Sequence, residues 1–433
     1  MPNREGSARN PEAFNAPAGE LQRDLTLLDA VGIGFGAIVG AGIFVVTGIA
    51  AASAGPAFLI SLLIAAIAAA ANALSSAQLA AEYPQAGGTY EYGHRLLHPW
   101  AGFAAGWMFL ASKISAAGTV ALGLAGYVDA VLPGVQPRVI AVGAVLAFTA
   151  LNYFGVKRSS RANLAIVAVS AGALVLFVIA GTAAFRLENL RPFSPMGWRG
   201  VLEGAALLFF AYTGYARIAT LAEEVREPKR VIPRAIVVTV SSVALLYFAV
   251  AIVAVGAVGA DEMAATTAPL HVAALAFPHP RVATIVALGG VTAMLGVILS
   301  QLLGLSRMVF AMARRGELPR FLQHVDPSYQ VPGRAVLLVG MAAAFIAATG
   351  TLRAVASAAT FTILVYYGIT NLAALRLSRD AKIYSDVVPL VGLIGCTVLA
   401  LSLRFSVVIT GTAVLIVGFG VRAFVSSRLA RSL

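Results

Sequence analysis

Glycines interrupt the middle of the first long apolar segment of the chain, which covers residues 27 to 54. Gly36, Gly40 and Gly42 fall within nine residues, the last two in the run Gly40-Ala-Gly-Ile-Phe44. A membrane helix has no water to satisfy its backbone, so this spacing predicts a break in the helix. The free N–H groups of a broken helix can bind an anionic group such as a carboxylate. The alternative is a glycine-mediated helix contact without a ligand.

The sixth apolar segment carries a second glycine-containing interruption, Phe209-Phe-Ala-Tyr-Thr-Gly-Tyr215. Two interrupted spans at corresponding positions point to a substrate site between them. N–H groups of the first interruption would bind a carboxylate, and carbonyls freed around Phe210, Ala211 and Thr213 would accept hydrogen bonds from a substrate amine. The predicted binding residues are Val39, Gly40, Ala41, Gly42, Ile43, Phe210, Ala211, Tyr212 and Thr213. The alternative for the aromatic residues is lipid-facing or core packing.

Lys113 is a charged residue within the third apolar segment, flanked by Ala111, Ser112, Ile114 and Ser115. An intramembrane lysine is costly and usually faces a cavity. It is therefore predicted to carry a proton, and the alternative is a lysine that extends its ammonium to the inner interface. Arg217, within one turn of the second interruption, is predicted to line the inner pathway or to lie at the interface.

Acidic residues are missing from the depths of the apolar segments, since Asp29, Asp129 and Glu203 fall near predicted helix ends. A dicationic substrate would need a buried carboxylate. A small or medium neutral substrate is therefore expected.

Composition places the whole chain in a membrane. Of 433 residues, 59% are hydrophobic and 12% charged, against about 25% charged in soluble domains, and the mean hydropathy is +0.87. The single cysteine, Cys396, excludes an internal disulfide. Apolar runs predict about twelve spans, near 27–53, 57–82, 100–131, 138–155, 163–184, 200–222, 236–258, 282–312, 334–350, 353–375, 384–403 and 405–425.

The net charge of +12 is explained by membrane orientation. With the N-terminus inside, about 22 Lys and Arg residues fall on the inner side and about 7 on the outer side, which predicts that both termini are cytoplasmic. Nucleic-acid binding is not expected. The predicted organisation is a cytoplasmic segment 1–25, one transmembrane domain 26–426 and a cytoplasmic tail 427–433.

Four stretches together resemble the amino acid–polyamine–organocation (APC) transporter family. They occur in the family's order and spacing, and so make a specific match. They are Gly40 to Phe44, Ala81-Glu-Tyr-Pro-Gln-Ala-Gly-Gly88, Phe209 to Tyr215 with Ala219-Thr-Leu-Ala-Glu-Glu224, and Ser306-Arg307 with Ala313-Arg-Arg-Gly-Glu-Leu-Pro319.

The resemblance implies an all-α leucine-transporter-like fold: a five-plus-five inverted repeat with broken helices 1 and 6, and two further helices at 384–425. It also implies alternating access, transport of amino acids or related amines, and Phe210 as a lid over the substrate.

The sequence departs from part of the family at the coupling site, because the resemblance implies that some members carry a lysine in the fifth helix whose ammonium replaces a sodium ion. Aligning Asn163 and Phe177 places Ser170 there. Either Lys113 carries the proton, which is preferred, or Ser170, carbonyls near Val39 and Ser300 coordinate sodium. No cofactor and no metal site are expected.

Glu223 and Glu224 end the sixth segment, where the helix dipole disfavours negative charge. They would form an inner gate if paired with Arg23, Arg307 or Arg314, and a solvated polar end is the alternative.

The predicted function is secondary active transport of small or medium neutral amino acids across the plasma or inner membrane, coupled to protons and carried out by a monomer. The alternatives are an exchanger or a sodium symporter of the same fold. A non-transporting amino acid sensor is the alternative from another class. An enzyme is not expected, because the spans contain no catalytic Ser/His pair, paired aspartates or metal ligands.

Overall fold

The computed structural model describes residues 25–83, 87–155, 160–219, 225 and 227–430, without the side chains of 160–163, 217, 219, 229 and 428–430. These residues form helices and turns, with one isolated bridge between Leu25 and Val225. The α-helices are α1 Leu27–Ile38, α2 Thr47–Ala54, α3 Phe58–Glu82, α4 Thr89–Tyr92, α5 Pro99–Val131, α6 Pro137–Tyr153, α7 Ser160–Gly181, α8 Gly197–Tyr212, α9 Ala216–Ala219, α10 Pro228–Ala264, α11 Pro269–Leu275, α12 Arg281–Arg314, α13 Gly333–Thr349, α14 Leu352–Leu375, α15 Val387–Ser402 and α16 Phe405–Ala430.

Each predicted span overlaps one of these helices. In the described part of the chain, seven helical stretches are long and apolar enough to cross a membrane, and three shorter apolar helices accompany them. The first stretch, Leu27–Glu82, contains both the interrupted first span and the second span. The chain is therefore an all-helical, multi-pass membrane protein.

Local sequence explains where the first helix begins and stops. Thr26 caps α1, and the carboxylate of Asp29 accepts hydrogen bonds from the N–H (2.9 Å) and the hydroxyl (2.6 Å) of Thr26. This reciprocal capping satisfies donors that a helix N-terminus leaves unpaired. At the other end, Val39 is extended (φ −69°, ψ 109°), so the helix stops after Ile38.

The molecule has two faces, defined by which ends of the helices meet. On the face where the described residues begin and end, Leu25 pairs with Val225, and Arg422 donates to the carbonyl of Pro99. We call this the terminal face. The opposite face holds an ion pair between Arg353 at the start of α14 and Glu203 in α8 (2.9 Å).

Small residues let α5 pack closely against its neighbours. A Cβ on Gly106 would lie 2.6 Å from the ring of Tyr90, and one on Gly123 would lie 2.5 Å from Val45. A Cβ on Gly118 would lie 2.7 Å from Ile346. Helix α5 thus lies in the interior, in contact with α12 and α14 along its length.

Candidate functional site

The first helix is broken where the glycines predicted. The last hydrogen bond of α1 runs from the N–H of Val39 to the carbonyl of Phe35 (2.9 Å). The next begins a new helical segment, from the N–H of Phe44 to the carbonyl of Gly40 (3.3 Å). This segment continues through a π-helical turn, Gly42–Val46, into α2.

The break leaves backbone donors in the centre of the molecule. The N–H groups of Ala41, Gly42 and Ile43 lie in the first turn after the break, where no preceding turn supplies a carbonyl. All three residues are buried. Val39 departs from the prediction, because its N–H is bonded within α1. The backbone N–H groups that are available to bind an anion therefore lie after Val39 in the chain.

The second interruption is a tight turn rather than an unwound stretch. Helix α8 passes through a 3₁₀ turn, Thr213–Tyr215, into α9. The carbonyl of Phe210 accepts hydrogen bonds from the N–H and the hydroxyl of Thr213, the latter at 2.9 Å. The carbonyl of Thr213 accepts from the hydroxyl of Tyr367 (3.4 Å). The prediction that these two carbonyls are free was wrong for this conformation, because local and α14 donors occupy them.

The two interruptions contact each other directly through glycines. A Cβ on Gly42 would lie 2.4 Å from the Cα of Ala211, and one on Gly214 would lie 2.2 Å from the carbonyl oxygen of Ala37. Both distances are far inside van der Waals contact, and the obstructing atoms are largely backbone. Gly42 is therefore needed for the helix contact itself, in addition to any effect on a ligand at the adjacent N–H groups.

The aromatic residues of the second interruption lie in the interior. Phe209 and Tyr212 are fully buried and Phe210 is 8% exposed, so lipid-facing packing, one of the alternatives, is wrong for these side chains. The ring of Phe209 meets that of Tyr367 edge to face, with centroids 5.7 Å apart. Tyr212 packs on Tyr247 with centroids 5.5 Å apart.

Two tyrosines that the sequence analysis did not single out hold carbonyls on either side of the first break. Tyr247 of α10 donates to the carbonyl of Ile38 (2.9 Å), the last residue of α1. Tyr127 of α5 donates to the carbonyl of Phe44 (2.6 Å) in the π-helical turn. The sequence did offer a signal for both residues. A tyrosine within an apolar span is expected to form a hydrogen bond through its hydroxyl, because a buried hydroxyl usually finds a hydrogen-bond partner.

Lys113 lies in α5, 10 residues before Gly123 and 14 before Tyr127, both of which contact the broken helix. At 1.5 Å per residue, its Cα is about 15 Å from that of Gly123 along α5, toward the terminal face. The Nζ atom lies 5.8 Å from the ring centroid of Phe109. Within the described chain, none of the ion pairs includes Lys113.

The two serines proposed as sodium ligands are not brought together. Ser170 of α7 lies beside Gly289 of α12, with its Cα 3.8 Å from a Cβ built there. Ser300 is 11 residues further along α12, about 16 Å away at 1.5 Å per residue. Both hydroxyls donate to carbonyls of their own helices. One ion with ligands at about 2.4 Å cannot contact both serines.

The predicted inner gate falls largely outside the described residues. Glu223 and Glu224, together with the side chain of Arg217, are not described. Arg307 lies on α12 toward the terminal face and is exposed. A buried carboxylate on that face is Glu317, which is 4% exposed and accepts from Tyr90 (2.6 Å) and His94 (2.9 Å).

Comparison with known proteins agrees with this architecture. A family model described as amino acid permease matches residues 25–429. The chain is 43% identical over 415 residues to a protein called an uncharacterized transporter in Mycobacterium tuberculosis, covering 94% of this chain and 93% of that one. It is 32% identical to the branched-chain amino acid permease BcaP of Bacillus subtilis over 353 residues (76% of each chain).

A third relative, the methylthioribose transporter of Bacillus subtilis, is 32% identical over 378 residues, covering 83% of this chain and 82% of the relative. The family-model match, residues 25–429, includes the broken helix, the second interruption and the helices that hold them. Transporters of this kind move small molecules and are not enzymes. The chain belongs to the amino acid permease family.

Proposed function

We propose that the protein is a secondary active transporter that moves small or medium neutral amino acids by alternating access. One observation carries the proposal: two interrupted helices meet at the centre of the bundle, with the N–H groups of Ala41, Gly42 and Ile43 at the start of a helical segment. Such a group of donors suits a substrate carboxylate, and the helix dipole adds to the attraction.

The chemistry around the contact favours a neutral substrate. The interruptions, residues 39–43 and 210–213, contain no acidic or basic side chain. A buried substrate with a net positive charge would need a carboxylate here. The relative BcaP is named for branched-chain amino acids, which fits this environment. The relative named for methylthioribose supports a second candidate, a neutral substrate that is not an amino acid.

Coupling to protons is assigned to Lys113. Among the described residues its ammonium has no ion-pair partner, and an intramembrane lysine of this kind is a natural candidate to bind and release a proton during the cycle. The separation of Ser170 from Ser300 weighs against sodium held by both. Sodium bound by other groups, or exchange without a coupling ion, remains an outcome of the test.

The wider mechanism follows from the fold that the family resemblance implies. Twelve spans, with helices 1 to 10 as an inverted repeat, would let one bundle rock against the rest around the central site. The terminal face would be cytoplasmic, in the plasma or inner membrane, and a monomer would suffice.

Uptake into proteoliposomes tests the proposal. Purified protein is given a pool of radiolabelled neutral, cationic and acidic amino acids and methylthioribose, under an imposed proton gradient or sodium gradient. We expect neutral amino acids to accumulate when the proton gradient is imposed.

Accumulation that requires sodium would contradict the role of Lys113. Counterflow without net accumulation under either gradient would identify an exchanger. Substrate binding without any transport would instead support a sensor. Uptake of methylthioribose alone would contradict an amino acid substrate and support the second candidate, a neutral substrate that is not an amino acid.

A further inference from the structure

Tyr127 lies where three elements of the opposite face meet: α5, α11 and the π-helical turn of the broken helix. Its side chain is fully buried. The hydroxyl donates to the carbonyl of Phe44 (2.6 Å) and accepts a hydrogen bond from the N–H of Leu270 (3.3 Å) in α11. One oxygen atom therefore ties the broken helix to α11, using both its donor and its acceptor capacity.

The segment that contains Leu270 packs on both the broken helix and α5. We call residues 263–275 the lid. A Cβ on Gly48 in α2 would lie 2.6 Å from the carbonyl oxygen of Met263, and one on Gly126 would lie 2.2 Å from the hydroxyl of Thr267. Ala273, within the lid, is fully buried. The opposite face is thus closed at the lid in this structure.

We infer that the Tyr127 hydroxyl is a latch: it holds the lid against the broken helix and must release for the opposite face to open. The inference rests on the proposed alternating access, in which that face opens during the cycle. Tyr127 does not touch the predicted donors at 41–43 through this hydroxyl. It acts through the position of Phe44, so it is a positioning residue.

Removing the hydroxyl isolates this role, because the ring has its own packing. The rings of Tyr127 and Phe44 meet edge to face, with centroids 5.8 Å apart and planes at 88°. The Tyr127→Phe variant should retain that contact and lose both hydrogen bonds. The carbonyl of Phe44 and the N–H of Leu270 lose this partner in the closed state. The loss of such a bond typically shifts an equilibrium by about tenfold.

The experiment measures opening of the lid without any substrate. Cys396 is the only cysteine of the chain and is 2% exposed, so the unmodified protein has little background reactivity. A reporter, Ala273→Cys, is labelled with a membrane-impermeant maleimide in proteoliposomes. We expect labelling to be about tenfold faster when Tyr127→Phe is added. Hydrogen–deuterium exchange of residues 263–275, without the reporter, should rise in parallel.

Tyr153→Phe is the matched control, because Tyr153 donates to Asp326 (3.4 Å) away from the lid. It should leave the labelling rate unchanged. Equal rates with and without Tyr127→Phe, together with a lower melting temperature, would mean that the hydroxyl only stabilises the fold, and would overturn the inference. Faster labelling in both tyrosine variants would indicate general loosening and would also overturn it. Neither result depends on uptake, so each is distinct from a failure of the proposed function.

Discussion

Replacing Gly42 with alanine should damage the protein far more than the same change at Gly40, two residues away. A Cβ on Gly42 would lie 2.4 Å from the Cα of Ala211 and 2.5 Å from its Cβ. Carbon atoms normally pack at about 3.5–4.0 Å, so the two interrupted helices would have to separate by about 1 Å or more. Ala211 presents backbone, which cannot rotate away.

At Gly40 the obstacle is different. A Cβ there would lie 2.9 Å from one methyl carbon of Val297, the far end of a side chain. That methyl group can shift by a small rotation. Overpacking a rigid contact costs about 1–3 kcal/mol, so Gly42→Ala should lose that much and Gly40→Ala clearly less.

The assay combines thermal unfolding in detergent with uptake in proteoliposomes, using equal amounts of folded protein. A loss of about 2 kcal/mol corresponds to a roughly 30-fold lower population of molecules in which the two interrupted helices are in contact at Ala211. Uptake by the Gly42→Ala variant should fall by a similar factor. Gly42→Val should abolish substrate binding. Equal stability and uptake in Gly40→Ala and Gly42→Ala would refute the reasoning that the contact with Ala211 fixes the site.

Three further predictions concern charged residues. Lys113→Ala should remove the dependence of uptake on pH while changing substrate affinity little; a pH–rate profile that matches the unmodified protein would assign coupling elsewhere. Glu203→Gln, which weakens the pair with Arg353 (2.9 Å), should lower stability by about 1 kcal/mol because the pair is partly exposed; an unchanged melting temperature would contradict this. Burial tends to raise the pKa of Glu91, but the Arg95 and Arg315 guanidiniums outweigh it and hold the pKa below its ordinary value of 4.5. The stability contributed by these ion pairs is therefore present above about pH 4.5 and is lost as the pH falls below it, so Glu91→Gln should reduce the fall of the melting temperature below about pH 4.5.

The location of the helices and of the first break could be read from the chain. Long apolar runs predict helices, because in lipid only a helix satisfies its own backbone, and each predicted span overlaps an observed helix. Gly40 and Gly42 marked the first break because a membrane helix tolerates interruption at such residues. The family could be recognised from four short stretches in a fixed order.

Contacts between distant residues could not be read in this way. The sequence predicted free carbonyls near Phe210 and Thr213, but a hydroxyl three residues away and Tyr367 of α14 occupy them. It also offered Ser170 and Ser300 as partners, although the crossing of α7 and α12 places them about 16 Å apart along α12.

Sequence by itself determined the class of protein, because hydropathy and backbone hydrogen bonding act locally along each span. Tertiary structure alone decided that Gly42 abuts Ala211, that Tyr127 joins Phe44 to Leu270, and which face is closed. Those features depend on how helices far apart in the chain pack, since a hydroxyl or a glycine acquires its role only from the atoms placed within a few ångströms of it.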